Sequence, residues 1–134
     1  MNEPIKPSKK KAWTWFSIYI RLRDSDEKGF APCFTCGKTH YYKEMHAGHF
    51  LQGRHVVLLF NEYGVHSQCY RCNIELYGNQ IKYYIHMIQL YGQSMVNKLM
   101  KLDELTVSLD AKDYDVLAEK YKDLVNKLLK IKNL

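Results

Sequence analysis

The chain has 134 residues, of which 46% are hydrophobic and 25% are charged, which is the composition of one folded domain of ordinary size. This composition excludes a disordered chain and a two-domain enzyme, and a membrane protein is excluded because no apolar run reaches the roughly 18 to 20 residues that a span needs. The formal net charge is +6, and 12 of the 20 basic residues but only 7 of the 14 acidic ones precede residue 97, so this part of the chain favours a polyanionic partner such as nucleic acid.

The first eleven residues are polar and rich in lysine, and they contain no apolar segment of the kind that a secretory signal needs. We therefore predict that residues 1–11 form a flexible basic leader. For the same reason we expect the protein to be cytoplasmic.

A first helix is predicted over residues 12–23. Trp13, Phe16 and Ile20 recur there at helical spacing, and basic side chains near the end of the segment suit the negative end of a helix dipole. Residues 24–32 contain glycine and proline and therefore predict a turn-rich link.

The four cysteines form two pairs, Cys33-x-x-Cys36 and Cys69-x-x-Cys72, with 32 residues between them. Two thiolates at this spacing can bind one metal ion from a tight turn, and two such turns complete a tetrahedral structural Zn²⁺ site. Two disulfides are disfavoured in a chain without a secretory signal, and a redox-active pair would not need a second copy. We therefore predict structural zinc, with Gly37 allowing the chain to turn after the first pair.

Two short segments between the cysteine pairs, residues 43–51 and 54–60, are rich in aromatic and aliphatic side chains. Gln52-Gly53 separates them at a point where a turn is favoured. This pattern predicts a β-hairpin.

Helical spacing returns after the second cysteine pair. It predicts one helix from residue 79 to 91, which Gly92 interrupts, and a further helix over 93–102. The last segment has apolar residues at alternating steps of three and four, which is typical of a heptad-like seam. We expect this seam to pack on its own domain, and a homodimer interface is the alternative. Its members are Tyr114, Leu117, Tyr121, Leu124, Leu128 and Ile131.

Histidine is unusually dense between the cysteine pairs, more so than a zinc scaffold requires. His46-Ala-Gly-His49 places two histidines beside Gly48, which permits close approach of a ligand to the backbone. Asn73 directly follows the last cysteine, at the predicted start of a helix. The histidines of this region are His40, His46, His49, His55 and His66.

Together these motifs resemble the HNH, or ββα-metal, nucleases that contain a four-cysteine zinc site. The resemblance is carried by CxxCG at the first cysteine pair, AGHF at residues 47–50, HSQCYRCN at residues 66–73 and Gly78-Asn79. It is closer to the phage Rap/NinG recombination nucleases and extends over almost the whole chain. The fold class it implies is α+β, a zinc-stabilised ββα-metal (HNH, treble-clef-like) core with flanking N- and C-terminal helices. The implied division is a nuclease domain at residues 12–104, which includes the first helix, and a C-terminal helical extension at residues 105–134.

The resemblance also implies roles for individual residues. His49 matches the general base that activates water, and an imidazole can accept a proton at neutral pH. Asn73 matches a residue that helps hold a catalytic Mg²⁺ or Mn²⁺, and His46 matches a second candidate ligand of that ion. His66 also matches a family position, to which we assign no specific role.

One position departs from the HNH motif. The middle asparagine, which orients the base, is expected five residues before the third cysteine, where this chain has Gly64. Asn61 could take over its role, or a backbone carbonyl could hold the imidazole, or the activity could be weak or lost.

The function implied by the resemblance is a metal-dependent, structure-selective DNA endonuclease in which water activated by histidine hydrolyses a phosphodiester. Its expected substrates are branched recombination intermediates such as Holliday junctions and D-loops, in a bacterial or phage-infected host cell. Expected partners are branched DNA, a second copy of the chain and recombination proteins, but not a membrane. We expect the DNA backbone to contact Lys9, Lys10, Lys11, Arg21, Arg23, Lys38, Lys43, Arg54 and Arg71.

Two rival hypotheses fit the same sequence. The first is a non-catalytic, zinc-stabilised DNA-binding accessory module for recombination, which Gly64 favours. The second is a zinc scaffold that binds only protein, for which the positive charge has no particular use. Cleavage that depends on metal separates the nuclease from both, and binding that weakens with salt separates nucleic-acid from protein partners.

Overall fold

The computed structural model describes residues 4–52 and 55–134, and these residues form a mixed α+β fold. Its N- and C-terminal helices pack together, and two antiparallel strand pairs lie between them in the chain. The elements are α1 (Ile5–Arg23), β1 (Phe30–Pro32), β2 (Thr39–Tyr41), β3 (His46–His49), α2 (Val56–Leu59), β4 (Val65–Gln68), α3 (Gln80–Tyr91), α4 (Gln93–Leu102) and α5 (Ala111–Lys132).

Helix α1 begins seven residues earlier than the sequence predicted, at Ile5 rather than Ala12. Pro4 occupies the N-cap position, and Pro7 lies in the first turn, where backbone N–H groups have no acceptor within the helix. Neither proline therefore costs a helical hydrogen bond. The prediction of a flexible leader is wrong for residues 5–11, which are helical.

The core between the terminal helices also covers one face of the β3–β4 pair. Phe16 and Ile20 of α1 pack with Tyr121 of α5, and the same cluster includes Ala47 of β3 and Val65 of β4. The C-terminal seam therefore packs on its own chain, as predicted, although its last member is solvent-exposed: Ile131 is 78% exposed.

The predicted β-hairpin is wrong in its second strand. Strand β3 pairs with β4, with His49 opposite Val65, and not with residues 55–60. Gly53 and Arg54 of the predicted hairpin lie outside the described residues. The apolar run at 56–59 forms the short helix α2 instead. Apolar runs of this length fit either conformation, and β4 showed no strand pattern because three of its four side chains are polar although all four are buried.

The first cysteine pair lies in the turn between β1 and β2. The Cys33 N–H donates to the Lys38 carbonyl at 2.8 Å, and Gly37 has φ +80°, the conformation for which glycine was expected there. The segment predicted as a turn-rich link ends in strand β1, because Phe30 pairs with Tyr41.

Helices α3 and α4 confirm the predicted break, since Gly92 separates them with φ +86°. On α3, Tyr83 and Met87 are buried, whereas Ile81 is 80% exposed. In the described part of the chain, no helix combines the length and the apolarity that crossing a membrane would require.

Candidate functional site

The four cysteines converge on one point, although 32 residues separate the two pairs. Their sulfur atoms all lie within 4.8 Å of one another, and the Cys36 and Cys69 sulfurs are 3.8 Å apart. A tetrahedral Zn²⁺ with Zn–S bonds of about 2.3 Å would place its sulfurs about 3.8 Å apart. The cluster is therefore consistent with the predicted structural zinc site.

Hydrogen bonds support individual sulfurs of this cluster. The Cys72 N–H donates to the Cys69 sulfur at 3.4 Å, and the Asn79 side-chain amide donates to the Cys72 sulfur at 3.6 Å. Burial raises the pKa of Cys69 to about 12. Burial also acts to raise the pKa of Cys33, but hydrogen bonds from the Thr35 hydroxyl and backbone amides outweigh it and lower that pKa to about 6. A metal that binds these sulfurs must displace protons, so its affinity falls in acid.

His49 lies at the end of β3, and its imidazole is held on two sides. Its Nε2 is 3.2 Å from the Leu59 carbonyl oxygen, which fixes Nε2 as the donor and leaves Nδ1 as an acceptor. The ring stacks on Trp13 of α1 with 5.0 Å between ring centroids. Burial lowers the pKa of His49, and the bond to Leu59 only partly opposes this. A neutral imidazole with a free acceptor nitrogen can take a proton from water.

Asn73 lies in a single π-helical turn, residues 71–75, directly after the last cysteine. Its side-chain amide donates to His46 Nδ1 at 3.1 Å. Burial and the nearby Arg21 lower the pKa of His46, so that its ring is neutral and available as a ligand at neutral pH. The structure thus brings the two predicted metal-ligand candidates into contact.

His49 and Asn73 line the same open cleft, which has a volume of about 560 Å³. One face of α1 forms its opposite wall, because residues at positions 6, 9, 10 and 13 project from the same side of a helix. In the part of the chain that the structure describes, no carboxylate lines this cleft. The remaining lining residues are Lys6, Lys9, Lys10, Trp13, Gln52 and Leu59.

Lys6 and Trp13 were not among the predicted site residues. The spacing of the lysines and Trp13 was visible in the sequence, but it places them on one face only if residues 5–11 are helical. The prediction of a flexible leader therefore missed the basic face of α1.

Some of the predicted DNA-binding residues make hydrogen bonds within the protein, and others are exposed to solvent. Arg21 donates to the Ser17 and Tyr42 carbonyls, and Arg23 forms an ion pair with Asp24 and donates to the Val65 carbonyl at 2.8 Å. These bonds occupy donors of both guanidiniums, and phosphate contact by Arg21 and Arg23 stays a prediction. Arg54 lies outside the described residues. The other members, apart from the cleft lysines, are exposed: Lys11, Lys38, Lys43 and Arg71.

His66 is buried on the opposite face of the sheet from His49. It follows Val65, the strand partner of His49, and side chains alternate along a strand. Its Nδ1 lies 3.1 Å from the Tyr83 hydroxyl and its Nε2 lies 2.8 Å from the Tyr91 hydroxyl. Burial lowers the pKa of His66 to about 4. The structure therefore places it outside the cleft.

Asn61 does not contact His49. Its side-chain oxygen accepts from the backbone N–H groups of Tyr63 at 2.9 Å and Gly64 at 3.1 Å, which closes a local turn. Gly64 left open which group orients the imidazole of His49. In the structure a backbone carbonyl lies at hydrogen-bond distance from the ring, that of Leu59.

Gly48 permits the close approach of a neighbouring side chain, where the sequence predicted a ligand. A Cβ atom at this position would collide with the side-chain amide of Gln68 on the neighbouring strand. That amide also donates to the Thr35 hydroxyl at 3.0 Å and to the Gly78 carbonyl at 2.9 Å. The glycine thus lets one buried side chain link both cysteine segments behind His49.

Comparison with known proteins gives matches over most of the chain. The family model described as "NinG: Bacteriophage Lambda NinG protein" matches residues 3–131. "Protein ninG" of Escherichia phage 933W and that of Enterobacteria phage VT2-Sa are each 33% identical over 91 residues, which is 67% of this chain and 43% of theirs. "Protein ninG" of Enterobacteria phage H19B is 32% identical over 91 residues. The matched segment spans less than half the length of these relatives, and no solved structure matches the chain.

Proposed function

The chain belongs to the bacteriophage lambda NinG family, and on that premise we propose that it is a metal-dependent endonuclease that cuts branched DNA such as Holliday junctions and D-loops. The observation that carries the proposal is the shared cleft. A neutral histidine, whose Nδ1 has no hydrogen-bond partner among the described residues, lines the same opening as a helix that presents three lysines.

The arrangement around the cleft supports a ββα-metal core of the treble-clef type. The β3–β4 pair carries His49 at one end, and the four-cysteine cluster fixes the turn that carries Asn73 directly after β4. Both candidate groups are thus attached to elements that one zinc ion would hold together.

A divalent ion would be held by Asn73, which lines the cleft, and by His46, which does not line the cleft but accepts a hydrogen bond from the Asn73 amide. Bound there, it would stabilise negative charge on the scissile phosphate. An imidazole and an amide are two neutral ligands, so phosphate oxygens and water would have to complete the coordination.

The remaining chemistry uses residues of this chain. His49 Nδ1 takes a proton from water, and the resulting hydroxide oxygen attacks phosphorus. The bond to the leaving oxygen breaks, and that oxygen departs with the bonding electron pair and takes a proton from solvent water. Lys6, Lys9 and Lys10 bind nonbridging phosphate oxygens along the DNA backbone. Contacts of this kind position the DNA without reading its sequence, as expected for an enzyme selective for structure.

The second candidate function is a non-catalytic, zinc-stabilised DNA-binding module. One observation favours it: among the described residues, the cleft has no carboxylate, the ligand that Mg²⁺ usually requires. Binding to DNA would remain under this alternative and cleavage would be absent.

The test uses zinc-loaded protein with a labelled four-way junction and a linear duplex of the same sequence, with and without Mg²⁺ or Mn²⁺. His49→Ala should lower the cleavage rate by at least ~100-fold, the lower range for loss of a general base. His55→Ala is the matched control, because His55 is exposed and does not line the cleft. If wild-type protein binds both DNAs but cuts neither with any ion, the endonuclease is rejected in favour of the binding module.

A further inference from the structure

A second groove lies against the cysteine cluster, and Cys36, Cys69 and Cys72 are part of its lining. It has a volume of about 380 Å³. Its described lining includes three side-chain cations and one carboxylate, that of Glu44. The cations come from three separate segments: Lys38 from the β1–β2 turn, Arg71 from the π-helical turn and Lys82 from α3.

Tyr70 brings this groove next to one of the candidate metal ligands, His46. It lines the groove and is 54% exposed, although it stands between Cys69 and Cys72. Its ring meets the His46 ring edge to face at 5.7 Å, and His46 in turn accepts the hydrogen bond from Asn73. The groove therefore lies next to the two candidate metal ligands.

The backbone that presents these groups is held in place by the cluster. Tyr70 and Arg71 are the two residues between the second pair of cysteines, and the Gly78 N–H donates to the Cys72 carbonyl at 2.8 Å. The ring of Tyr70 is therefore presented to solvent from a backbone segment between two cysteines of the cluster.

We propose that this groove binds a single DNA strand that leaves the cleft at a branch point, with phosphates on Lys38, Arg71 and Lys82 and an unpaired base stacked on Tyr70. The inference rests on the proposed function and names the part of the substrate that this surface takes. Cations along a groove with an aromatic stacking platform are the usual means of binding single strands. A duplex could not stack a base on Tyr70, since its base faces are already stacked on one another.

The cations have one competing explanation. A Zn²⁺ with four thiolates carries a formal charge of −2, so Lys38, Arg71 and Lys82 could serve to balance the cluster. That role predicts weaker zinc retention after their removal, with no change in the affinity of zinc-loaded protein for a single strand. The two roles are therefore separable by experiment.

The test measures binding of fluorescein-labelled oligothymidine of about 12 nucleotides to the zinc-loaded full chain, without added Mg²⁺ or Mn²⁺. Fluorescence anisotropy gives the affinity, and zinc content is measured for every variant. Tyr70→Ala should weaken binding by about tenfold, within the range for loss of one stacked base. Lys82→Gln should weaken it and should reduce the slope of log affinity against log salt by about 0.7.

Matched controls are available on other surfaces. Tyr63 is 50% exposed and does not line the groove, and Lys127 is exposed on α5. Tyr63→Ala and Lys127→Gln should bind oligothymidine within about twofold of wild type, as expected for surface changes away from the site.

The proposal is overturned if Tyr70→Ala binds oligothymidine as wild type does, or if Lys82→Gln loses zinc while its zinc-loaded fraction keeps full affinity. Failure of the proposed function has a different signature. A chain that binds single strands through Tyr70 but cuts no junction would refute the endonuclease and leave the groove intact. A chain that cuts junctions with Tyr70→Ala unaffected in single-strand binding would do the reverse.

Discussion

The imidazole of His49 is held by a main-chain atom. Its Nε2 meets the Leu59 carbonyl, and any residue type at position 59 could supply that oxygen. The sequence could therefore place the histidine, because its side chain is chemically distinctive, but it could not identify the group that orients it. The same limit applies to Trp13, which contacts the imidazole only because α1 extends past the cleft.

Replacing Asn61 tests whether its role is confined to the turn. Asn61→Ala removes two hydrogen bonds to backbone N–H groups and should lower the free energy of unfolding by about 1 kcal/mol. The cleavage rate of the folded variant should match that of wild type. Urea denaturation and junction cleavage measure the two effects, and a rate loss like that of His49→Ala would assign Asn61 to catalysis after all.

The ligand pair of His46 and Asn73 predicts an unusual metal preference. Imidazole favours ions later in the first transition series, whereas Mg²⁺ prefers carboxylates. Wild-type protein should therefore reach half-maximal cleavage at a lower concentration of Ni²⁺ than of Mg²⁺. His46→Asp should lower the Mg²⁺ concentration required, by about tenfold, because it supplies a carboxylate.

Metal titrations of cleavage by wild type, His46→Asp and His55→Asp measure this preference. The His55 variant adds the same charge away from the cleft and should keep the wild-type requirement. An unchanged Mg²⁺ requirement in His46→Asp would show that position 46 does not bind the ion.

Strand β4 shows why part of the site's scaffold escaped prediction. Its side chains His66, Ser67 and Gln68 are polar, yet all three are buried. Tyrosine hydroxyls of α3 meet both ring nitrogens of His66, and the Gln68 amide N–H donates to Thr35. Ser67 Oγ and Gln68 Oε1 have no hydrogen-bond partner among the described residues. Sequence patterns identify strands from apolar alternation, and this strand has none. By contrast, the bounds of α3 and α4 were predicted closely, because a periodic apolar pattern and the break at Gly92 can both be read from neighbouring residues.

The polar network of β4 gives stability that depends on pH. His66 is packed against Tyr83 and Tyr91 of α3, stacks on Phe34 at 4.0 Å, and has Asp24 and Arg23 near it at the end of α1. Burial, opposed by Asp24, lowers its pKa to about 4. The unfolded chain, with a histidine pKa near 6.5, therefore takes up the proton first, so this stability is present above pH 6.5 and is lost as the pH falls towards 4.

Between pH 7 and pH 5 this residue should account for a loss of about 2 kcal/mol in the free energy of unfolding. His66→Gln should be less stable at neutral pH but should lose correspondingly less on acidification. Urea denaturation at both pH values measures the difference, with zinc content checked because the cysteines also titrate. Equal losses in the two proteins would contradict the assignment.

Across the whole molecule, the terminal helices support the cleft from outside it. Helix α5 packs along α1, and at its end the Lys132 ammonium donates to the Leu22 carbonyl at 2.6 Å and to the Ser25 carbonyl at 2.7 Å. Helix α1 in turn supplies the basic wall and the ring that stacks on His49. The seam of α5 was visible in the sequence, but its partner was not, because periodicity shows which face is buried without showing what covers it.

This arrangement predicts that residues 4–104 alone do not form a stable domain. Removing residues 105–134 would expose Phe16 and Ile20 and delete Tyr114, Tyr121 and Val125, all of which are buried. At roughly 1.5 to 3 kcal/mol for each large side chain, the loss approaches the roughly 5 to 15 kcal/mol that stabilises a typical domain. The truncated chain should lose its cooperative thermal transition, and with it the wall of the cleft.

Val116→Ala in the full chain is the matched control, because Val116 is 69% exposed on the same helix and should leave the transition nearly unchanged. Circular dichroism melts of the three proteins measure this, and a truncated chain that melts cooperatively and still cuts junctions would establish residues 105–134 as a separable extension.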